Sequence, residues 1–356
     1  MRIGIFTPTF LPKFSGAEIF HHQLAQRLQE LGNEVVVFMP NKQKENLARQ
    51  QWKLGYQIDG FPGNLGSLIK RWPQLGLRFG AFFLDKLQRK WNLDVWHGLM
   101  MLPCGVTLVH WANQRNIPHV IRSAGSDILL SKEGNLGERL NLKMDKLIRD
   151  KIPHAQRVIA LSESIREEFQ KVGVAREKIL LIPNAVDTSK FGEVTSKQKQ
   201  ELRKNLGLRA EAFTFLAVGR NHPQKNYPCL LEAAKILSIK SRRDWQILIA
   251  GRDVQELERT SIQMGLQGRV IAREFPILAA AGMNPTFPPK ELVNAYLAAD
   301  VFVMASHLEG FSTAMVEAMA AGLPIITTSS PGCRELVSHG KEGWLVNPCD
   351  AESLAN

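Results

Sequence analysis

Short apolar runs alternate with stretches of helical spacing along the whole chain, and this alternation constrains the fold more than any other feature. Arg2–Phe6 is a strand candidate, and Ile19, Phe20, Leu24, Leu28 and Leu31 then recur at helical spacing until Gly32 supplies a stop. Glu34–Met39, Asp94–His97, His119–Arg122, Arg157–Leu161 and Ile179–Ile182 repeat the strand signal. In the second half Phe213–Val218 leads into a helix near Pro228–Leu237, and Trp245–Ala250 into one near Val254–Met264. Val301–Met304 leads into Ser312–Ala321, and Pro324–Thr327 into Gly332–Ser338. Strands and helices alternating at this density predict parallel sheets covered by helices on both faces. Between the two series, Asn184–Leu206 is polar and has no strand pattern, so the domain joint is expected there. Two open α/β domains facing each other would form a cleft, and ligands of such sheets bind outside the carboxyl ends of the strands. The loops after strands are therefore where chemistry is to be sought.

The length of 356 residues fits two domains. Hydrophobic residues at 44% and charged residues at 22% exclude a disordered, collagen-like or disulfide-scaffold chain. No apolar run nears the roughly 18 residues of a membrane span, and the N-terminus, broken by Pro8 and Pro12, reads as a strand rather than a signal peptide. Cys104, Cys229, Cys333 and Cys349 are scattered, which predicts neither a zinc site nor a disulfide framework and fits a reducing cytoplasm. The charge is lopsided: residues 1–183 hold 26 Lys+Arg against 16 Asp+Glu, and residues 184–356 hold 19 against 18. A net of +10 in the first half suits an anionic partner such as phospholipid, nucleic acid or a phosphorylated substrate, or else serves solubility alone.

Several familiar motifs are missing. No GxGxxG follows the first strand, and there is no P-loop, HExxH, GxSxG or Asp-x-Asp pair. A nicotinamide cofactor and an aspartate-bridged metal are not expected. What is present lies in the second half. Gly219-Arg220 follows FTFLAV directly, and Lys225 stands five residues on, ahead of a helix: two cations at a strand–helix junction suit a phosphate, or are solvated charges. Glu309-Gly310-Phe311-Ser312-Thr313 follows VFVMAS. Gly310 admits close backbone approach, Ser312 or Thr313 caps a helix, and that helix start favours an anion. Glu317, four residues after Thr313, projects from the same face of the first turn, as a ligand or as a carboxylate favoured by the dipole.

The pattern Glu309-x7-Glu317, followed by AMAAGLPIITT and Pro331-Gly332-x-x-Glu335, resembles the retaining glycosyltransferases of family 4, which have the GT-B fold. Gly219-Arg220…Lys225 is similar to their GR…K element, and Asn184-Ala185-Val186-Asp187 to their segment at the interdomain joint. Ser15-Gly16-Ala17-Glu18 resembles their glycine loop, and Asp94–Gly98 their DVVH strand end. The resemblance implies an α/β chain of two Rossmann-like doubly wound domains, 1–190 on the acceptor side and 191–356 on the nucleotide-sugar side. It implies a metal-independent hexosyltransferase-like enzyme of polysaccharide biosynthesis, with a nucleotide-sugar donor and a saccharide or lipid-linked acceptor, and with no further cofactor. Arg220 and Lys225 would hold the diphosphate, the amides of Gly310, Phe311, Ser312 and Thr313 the sugar and phosphate. Glu309 would meet sugar hydroxyls and Glu317 ribose hydroxyls; Gly16 and Gly219 would lie against the donor. Glu309, Arg220 and Lys225 are the candidates for catalysis.

The sequence departs from the family in four places. Ala124, within Arg122–Asp127, stands where many members carry a His near the transferred sugar, leaving His97 and Asp127 as acceptor-side candidates. Ser15-Gly16 replaces the usual glycine pair. Ala272–Pro289 is longer than the family's connection. The chain stops at Asn356, where members usually continue with further helices, so it reads as a fragment or a member with a shortened end. A nucleotide-sugar epimerase of similar shape and a catalytically silent nucleotide-sugar-binding subunit stay open as alternatives.

Residues 65–91 hold Lys70, Arg71, Arg78, Lys86, Arg89 and Lys90 against one acid, Asp85, among twelve large apolar side chains. Such a segment suits an anionic membrane surface, which would make the protein peripheral on the inner face, or an anionic lipid-linked acceptor, or else is a core-facing helix with a solvated basic face. No nucleic-acid motif accompanies it.

Overall fold

The computed structural model describes residues 1–13, 15–275 and 282–356. Part of the 272–289 connection, residues 276–281, lies outside the described residues. The chain divides into two compact units. Unit 1 comprises Met1–Leu130, Asn135–Asn184 and a short stretch ending at Pro285. Unit 2 comprises Ser131–Gly134 and the rest of the chain from Ala185 onward.

In unit 1 the order is β1 (Arg2–Phe6), α1 (Gly16–Glu30), β2 (Glu34–Pro40), α2 (Asn41–Ala48), β3 (Gln57–Phe61), α3 (Leu65–Arg71) and α4 (Pro73–Trp91). It continues with β4 (Val95–Leu99), α5 (Val106–Asn113), β5 (His119–Arg122), α6 (Leu142–Lys151), β6 (Arg157–Ala160), α7 (Glu163–Lys171) and β7 (Ile179–Leu181). The sheet is parallel, in the order β3-β2-β1-β4-β5-β6-β7. Ile5 pairs with Val37 on one side and His97 on the other. Strand order reverses between β1 and β4, so the crevice for a ligand opens after those two strands. Gly32, at φ +84, ends the first helix as its position in the sequence predicts. At the β3 edge, Asp59 ties α2 and α4 to the sheet: it accepts from Lys44 Nζ at 3.0 Å, Lys90 Nζ at 2.7 Å and Trp91 Nε1 at 2.9 Å. Burial pushes this carboxyl up, but the donors outweigh burial and hold it well below the usual carboxylate range.

Unit 2 runs α8 (Ser196–Asn205), β8 (Phe213–Val218), α9 (Tyr227–Lys240), β9 (Trp245–Ala250), α10 (Gln255–Gln263), β10 (Val270–Arg273) and α11 (Lys290–Ala298). Then come β11 (Val301–Met304), α12 (Thr313–Ala320), β12 (Ile325–Thr328), β13 (Gly343–Val346) and α13 (Ala351–Ala355). This sheet too is parallel, in the order β10-β9-β8-β11-β12-β13. Side chains of a strand alternate between faces, so an all-apolar strand feeds two cores. Leu248, Phe302 and Met304 pack with Tyr296 of α11 and Met315 of α12. Ile247, Ile249 and Val303 pack on the other face with Tyr227, Leu230 and Leu231 of α9 and Leu257 of α10. The expected helix at Gly332–Ser338 does not form. Gly332 takes φ +75, which no α-helix accommodates, and the segment is a run of turns closed by Cys333 N donating to Ser330 O and Leu336 N to Cys333 O.

Candidate functional site

The strand order of unit 2 reverses between β8 and β11, and the residues singled out in the second half collect at the carboxyl ends of those two strands. Gly219 directly follows β8 with φ +156. A Cβ there would stand 2.7 Å from Lys225 Cε, so the missing side chain leaves room for the lysine stem. Lys225 ends a short 3-10 turn, Pro223–Lys225, capped by the His222 side chain accepting from Gln224 N at 3.2 Å. That turn is strapped to the loop after β11, because His307 N donates to Gln224 O at 2.9 Å and Gln224 Nε2 to Leu308 O at 2.7 Å. The strap delivers Lys225 Nζ to Glu309 Oε1 at 2.8 Å, in a pair only 17% and 8% exposed. Arg220 is half-buried and, among the described residues, makes no ion pair. The charges of Arg220 and Lys225 reach His222, whose pKa is lowered chiefly by burial and further by these two cations. The site thus has one compensated cation and one uncompensated one.

The Glu309–Thr313 loop is held from behind. Glu309 N donates to Pro331 O at 3.1 Å, and a Cβ on Gly332 would lie 2.0 Å from Glu309 O and 3.1 Å from Gly310 O. Only glycine lets the 331–332 turn press this closely, and its positive φ requires the same residue. Gly310 is buried and Phe311 half-buried. Ser312 is the N-cap of α12, its Oγ accepting from Met315 N at 3.4 Å, so Thr313 is the first helical residue. The backbone amides of that first turn carry the partial positive charge of a helix start. Glu317 lies one turn on. Tyr296 Oη donates to its Oε2 at 2.7 Å. Burial raises the Glu317 carboxyl from 4.5 to about 7, against the opposing effect of the tyrosine bond and the Lys190 charge. It therefore titrates near neutrality.

Sequence reasoning missed three supports of this site. Tyr296 is indistinguishable in sequence from an ordinary core position on α11. Gln224 carries no motif. Gly332 was visible only as part of a pattern, and its function as the rest for the 309–310 backbone is a property of the fold.

In unit 1 the candidates stand apart from the unit 2 cluster in sequence. Gly16 opens α1 with nothing, among the described residues, within 4 Å of where a Cβ would stand. Asp127, an acceptor-side candidate, clasps its own loop. It is buried and accepts from Ser123 Oγ at 2.7 Å, Met101 N at 2.8 Å, Ala124 N at 3.0 Å and Gly125 N at 2.8 Å. His97 stands mid-strand and buried. Desolvation, aided by the charge of Arg122, lowers its pKa to about 3, so it is a neutral ring at physiological pH rather than a proton donor. Its Nε2 has no hydrogen-bond partner among the described residues. Arg122 itself was passed over in the sequence. It is buried at the end of β5, its guanidinium lies 3.9 Å over the Phe20 ring, and it donates to Asn184 Oδ1. Burial lowers its pKa only to about 10, so a full positive charge remains inside unit 1.

The helices of the chain include none long and apolar enough to cross a membrane, among the described residues. Two family models match in sequence: "Glycosyltransferase Family 4" over residues 14–190 and "Glycosyl transferases group 1" over residues 198–356. The chain is similar to an alpha-monoglucosyldiacylglycerol synthase of Streptococcus pneumoniae, 26% identical over 353 residues, covering 97% of this chain and 75% of that protein. It is also similar to a D-inositol 3-phosphate glycosyltransferase of Thermobispora bispora, 29% identical over 369 residues, covering 96% and 80%. Among solved structures, Anabaena HepE in complex with UDP and glucose superposes with a TM-score of 0.72 at 22% identity, covering 100% of this chain and 88% of that one. WaaG, a glycosyltransferase involved in lipopolysaccharide biosynthesis, superposes with a TM-score of 0.71 at 16% identity, covering 99% and 88%. These two likenesses are of fold.

Proposed function

We propose, from the premise that this chain belongs to glycosyltransferase family 4 and has the GT-B fold, that it moves a sugar from a nucleotide-sugar donor to a hydroxyl of a saccharide or lipid-linked acceptor, with retention of anomeric configuration and without a metal ion. That it is a glycosyltransferase follows from the family. The observation that carries the donor assignment is the convergence of Arg220, Lys225, Glu309 and the start of α12 at the point where the strand order of unit 2 reverses.

The chemistry follows from the charges. When the sugar–phosphate bond breaks, negative charge grows on the departing nucleoside diphosphate. Arg220, Lys225 and the first amides of α12 are fixed donors for that charge, and preorganised donors of this kind lower the barrier without reorganising. Lys225 exchanges part of its bond with Glu309 for the phosphate, which frees the Glu309 carboxylate to accept from sugar hydroxyls. Glu317, fixed by Tyr296, accepts from the ribose hydroxyls. The reading is supported by the HepE structure, which holds UDP and glucose. The names of the relatives, one a synthase of a glucosylated diacylglycerol and one acting on an inositol phosphate, support a hydroxyl acceptor on a lipid or a polyol.

The test is incubation with a panel of nucleotide sugars and hydroxyl acceptors, with the product linkage read by NMR. A glycoside with the anomeric configuration of the donor is expected. Inverted product, or an epimerised donor without transfer, overturns the proposal.

A further inference from the structure

Glycosyl transfer leaves one charged and apolar surface of unit 1 without a purpose. Trp72, Leu75 and Phe82 stand 51%, 54% and 52% exposed along α3 and α4, too large and too close together for chance surface apolars. At 3.6 residues per turn, Leu75, Arg78, Phe82, Lys86 and Arg89 share an arc of roughly 80° on α4. Leu77, Gly80, Ala81, Leu84 and Leu87 bury the opposite face. The helix cannot roll to hide the exposed stripe, because a Cβ on Gly80 would already stand 2.3 Å from Thr107 Cγ2, and one on Gly76 2.8 Å from Ile69 N.

The charges on this face are sorted. Asp85, the one acid of the segment, turns away: its Oδ1 accepts from Trp111 Nε1 at 2.8 Å, and the carboxylate pairs with Arg115 at 2.5 Å and 2.6 Å. Lys90 is held by Asp59 and Lys70 by Glu138. Arg71, Arg78, Lys86 and Arg89 make no ion pair among the described residues. Two of these cations lie over exposed rings, Arg71 4.4 Å from the Trp72 centroid and Lys86 4.4 Å from that of Phe82. Unpaired cations interleaved with half-exposed aromatics, with no acid among them, complement a surface that is anionic outside and apolar beneath. A second copy of this chain does not offer one, since residues 1–183 carry a net +10.

We propose that this face docks flat on a bilayer rich in anionic lipid. Trp72, Leu75 and Phe82 enter the boundary between headgroups and acyl chains, and Arg71, Arg78, Lys86 and Arg89 meet the lipid phosphates. The assignment does not rest on the donor reading, because α3 and α4 belong to unit 1 and the donor residues to unit 2.

The experiment is co-sedimentation of the full chain with vesicles of phosphatidylcholine alone and of phosphatidylcholine mixed with phosphatidylglycerol. The chain is expected on the mixed vesicles and not on the neutral ones. Binding should weaken as salt rises, because the screening length falls from about 10 Å at 0.1 M to about 3 Å at 1 M. Each removed cation should lower partitioning about fivefold, equivalent to about 1 kcal/mol, so the triple variant R78E/K86E/R89E should lose at least about a hundredfold. W72S/F82S should lose binding too, with its charges intact. Far-ultraviolet circular dichroism and the thermal midpoint of each variant should match the wild type, which reports that the fold of unit 1 is preserved. Failure of the wild type to bind mixed vesicles, equal binding to neutral ones, or wild-type binding by either variant overturns the proposal. So does a vesicle-free dimer that W72S/F82S abolishes. The wild-type comparison of lipids and salts requires no variant to fold.

Discussion

Replacing Glu309 with Gln should be costly without ligand and partly repaired by it. The Lys225–Glu309 pair is 2.8 Å long and mostly shielded from water. Removing one partner of such a pair leaves the other charge buried without compensation, which costs about 3–5 kcal/mol. Glutamine keeps the shape and an acceptor oxygen, so the lower end, about 3 kcal/mol, is expected. For a unit of this size that corresponds to a fall in Tm of roughly 6–12 °C. A nucleoside diphosphate supplies the missing negative charge, so its stabilising effect should be larger on Glu309→Gln than on the wild type. Lys225→Met should show the reverse, a smaller response to the diphosphate. Thermal melts of the wild type, both single variants and the double variant, with and without diphosphate, give the coupling as a double-mutant cycle. A Glu309→Gln stability within about 1 kcal/mol of wild type, together with a coupling below about 0.5 kcal/mol, would refute the reasoning from a buried, mutually dependent pair.

Glu317 makes stability depend on pH. Its folded pKa is raised, so the stability is fully present below 4.5 and is lost as pH rises through about 7, by up to about 3 kcal/mol. Urea midpoints at pH 5 and pH 7.5 should therefore differ less in Glu317→Gln than in the wild type, and an equal pH response in both would contradict the assignment. Gly332→Ala forces a Cβ into the Glu309 carbonyl at a positive φ, and should lower both Tm and diphosphate affinity, read by melts and calorimetry. Arg122→Met removes the buried cation that depresses the His97 pKa, so in this variant the His97 ring, followed by NMR, should titrate at a higher pH than in the wild type. Transferase activity should persist in excess chelator, and full loss restored by Mg or Mn would contradict a site in which side-chain cations and helix amides hold the diphosphate.

The sequence was most legible where one periodicity dominated. His119–Arg122, Phe213–Val218, Trp245–Ala250 and Val301–Met304 form strands at the boundaries their apolar runs predict, because central parallel strands are buried on both faces. The three strands it did not reveal, β3, β10 and β13, all lie at sheet edges. Edge strands need fewer apolar residues: β3 carries Asp59 and Gly60, and β13 begins at Gly343 and exposes Trp344, whereas β10 is as short as the legible β5 and β11 and no less apolar than β5, and nothing in its composition sets it apart. The pairing of Lys225 with Glu309 was not readable from residues 84 apart, although both had been singled out, because the strap through Gln224 is made of backbone and amide hydrogen bonds without a motif. The surroundings of Asp127 and His97 were unreadable for a related reason. A polar residue near a strand end looks the same in sequence whether it faces a ligand or closes its own loop, and only the four donors around Asp127 and the burial of His97 decide. In residues 65–91 the composition showed both halves of the answer, a core face and a solvent face, but not that Asp85 is taken up by Trp111 and Arg115 and Lys90 by Asp59 while Trp72 and Phe82 stay exposed.

The central claim is that unit 2 holds a nucleoside diphosphate between Arg220, Lys225 and the start of α12. Titration calorimetry of uridine, guanosine and adenosine diphosphates into the wild type, Arg220→Ala and Lys225→Ala tests it directly. At least one diphosphate should bind the wild type, and each variant should bind it about ten- to more than a hundredfold more weakly, since a charge-assisted contact contributes roughly 1.5–3 kcal/mol. No binding by the wild type, or unchanged affinity in both variants, would contradict the account.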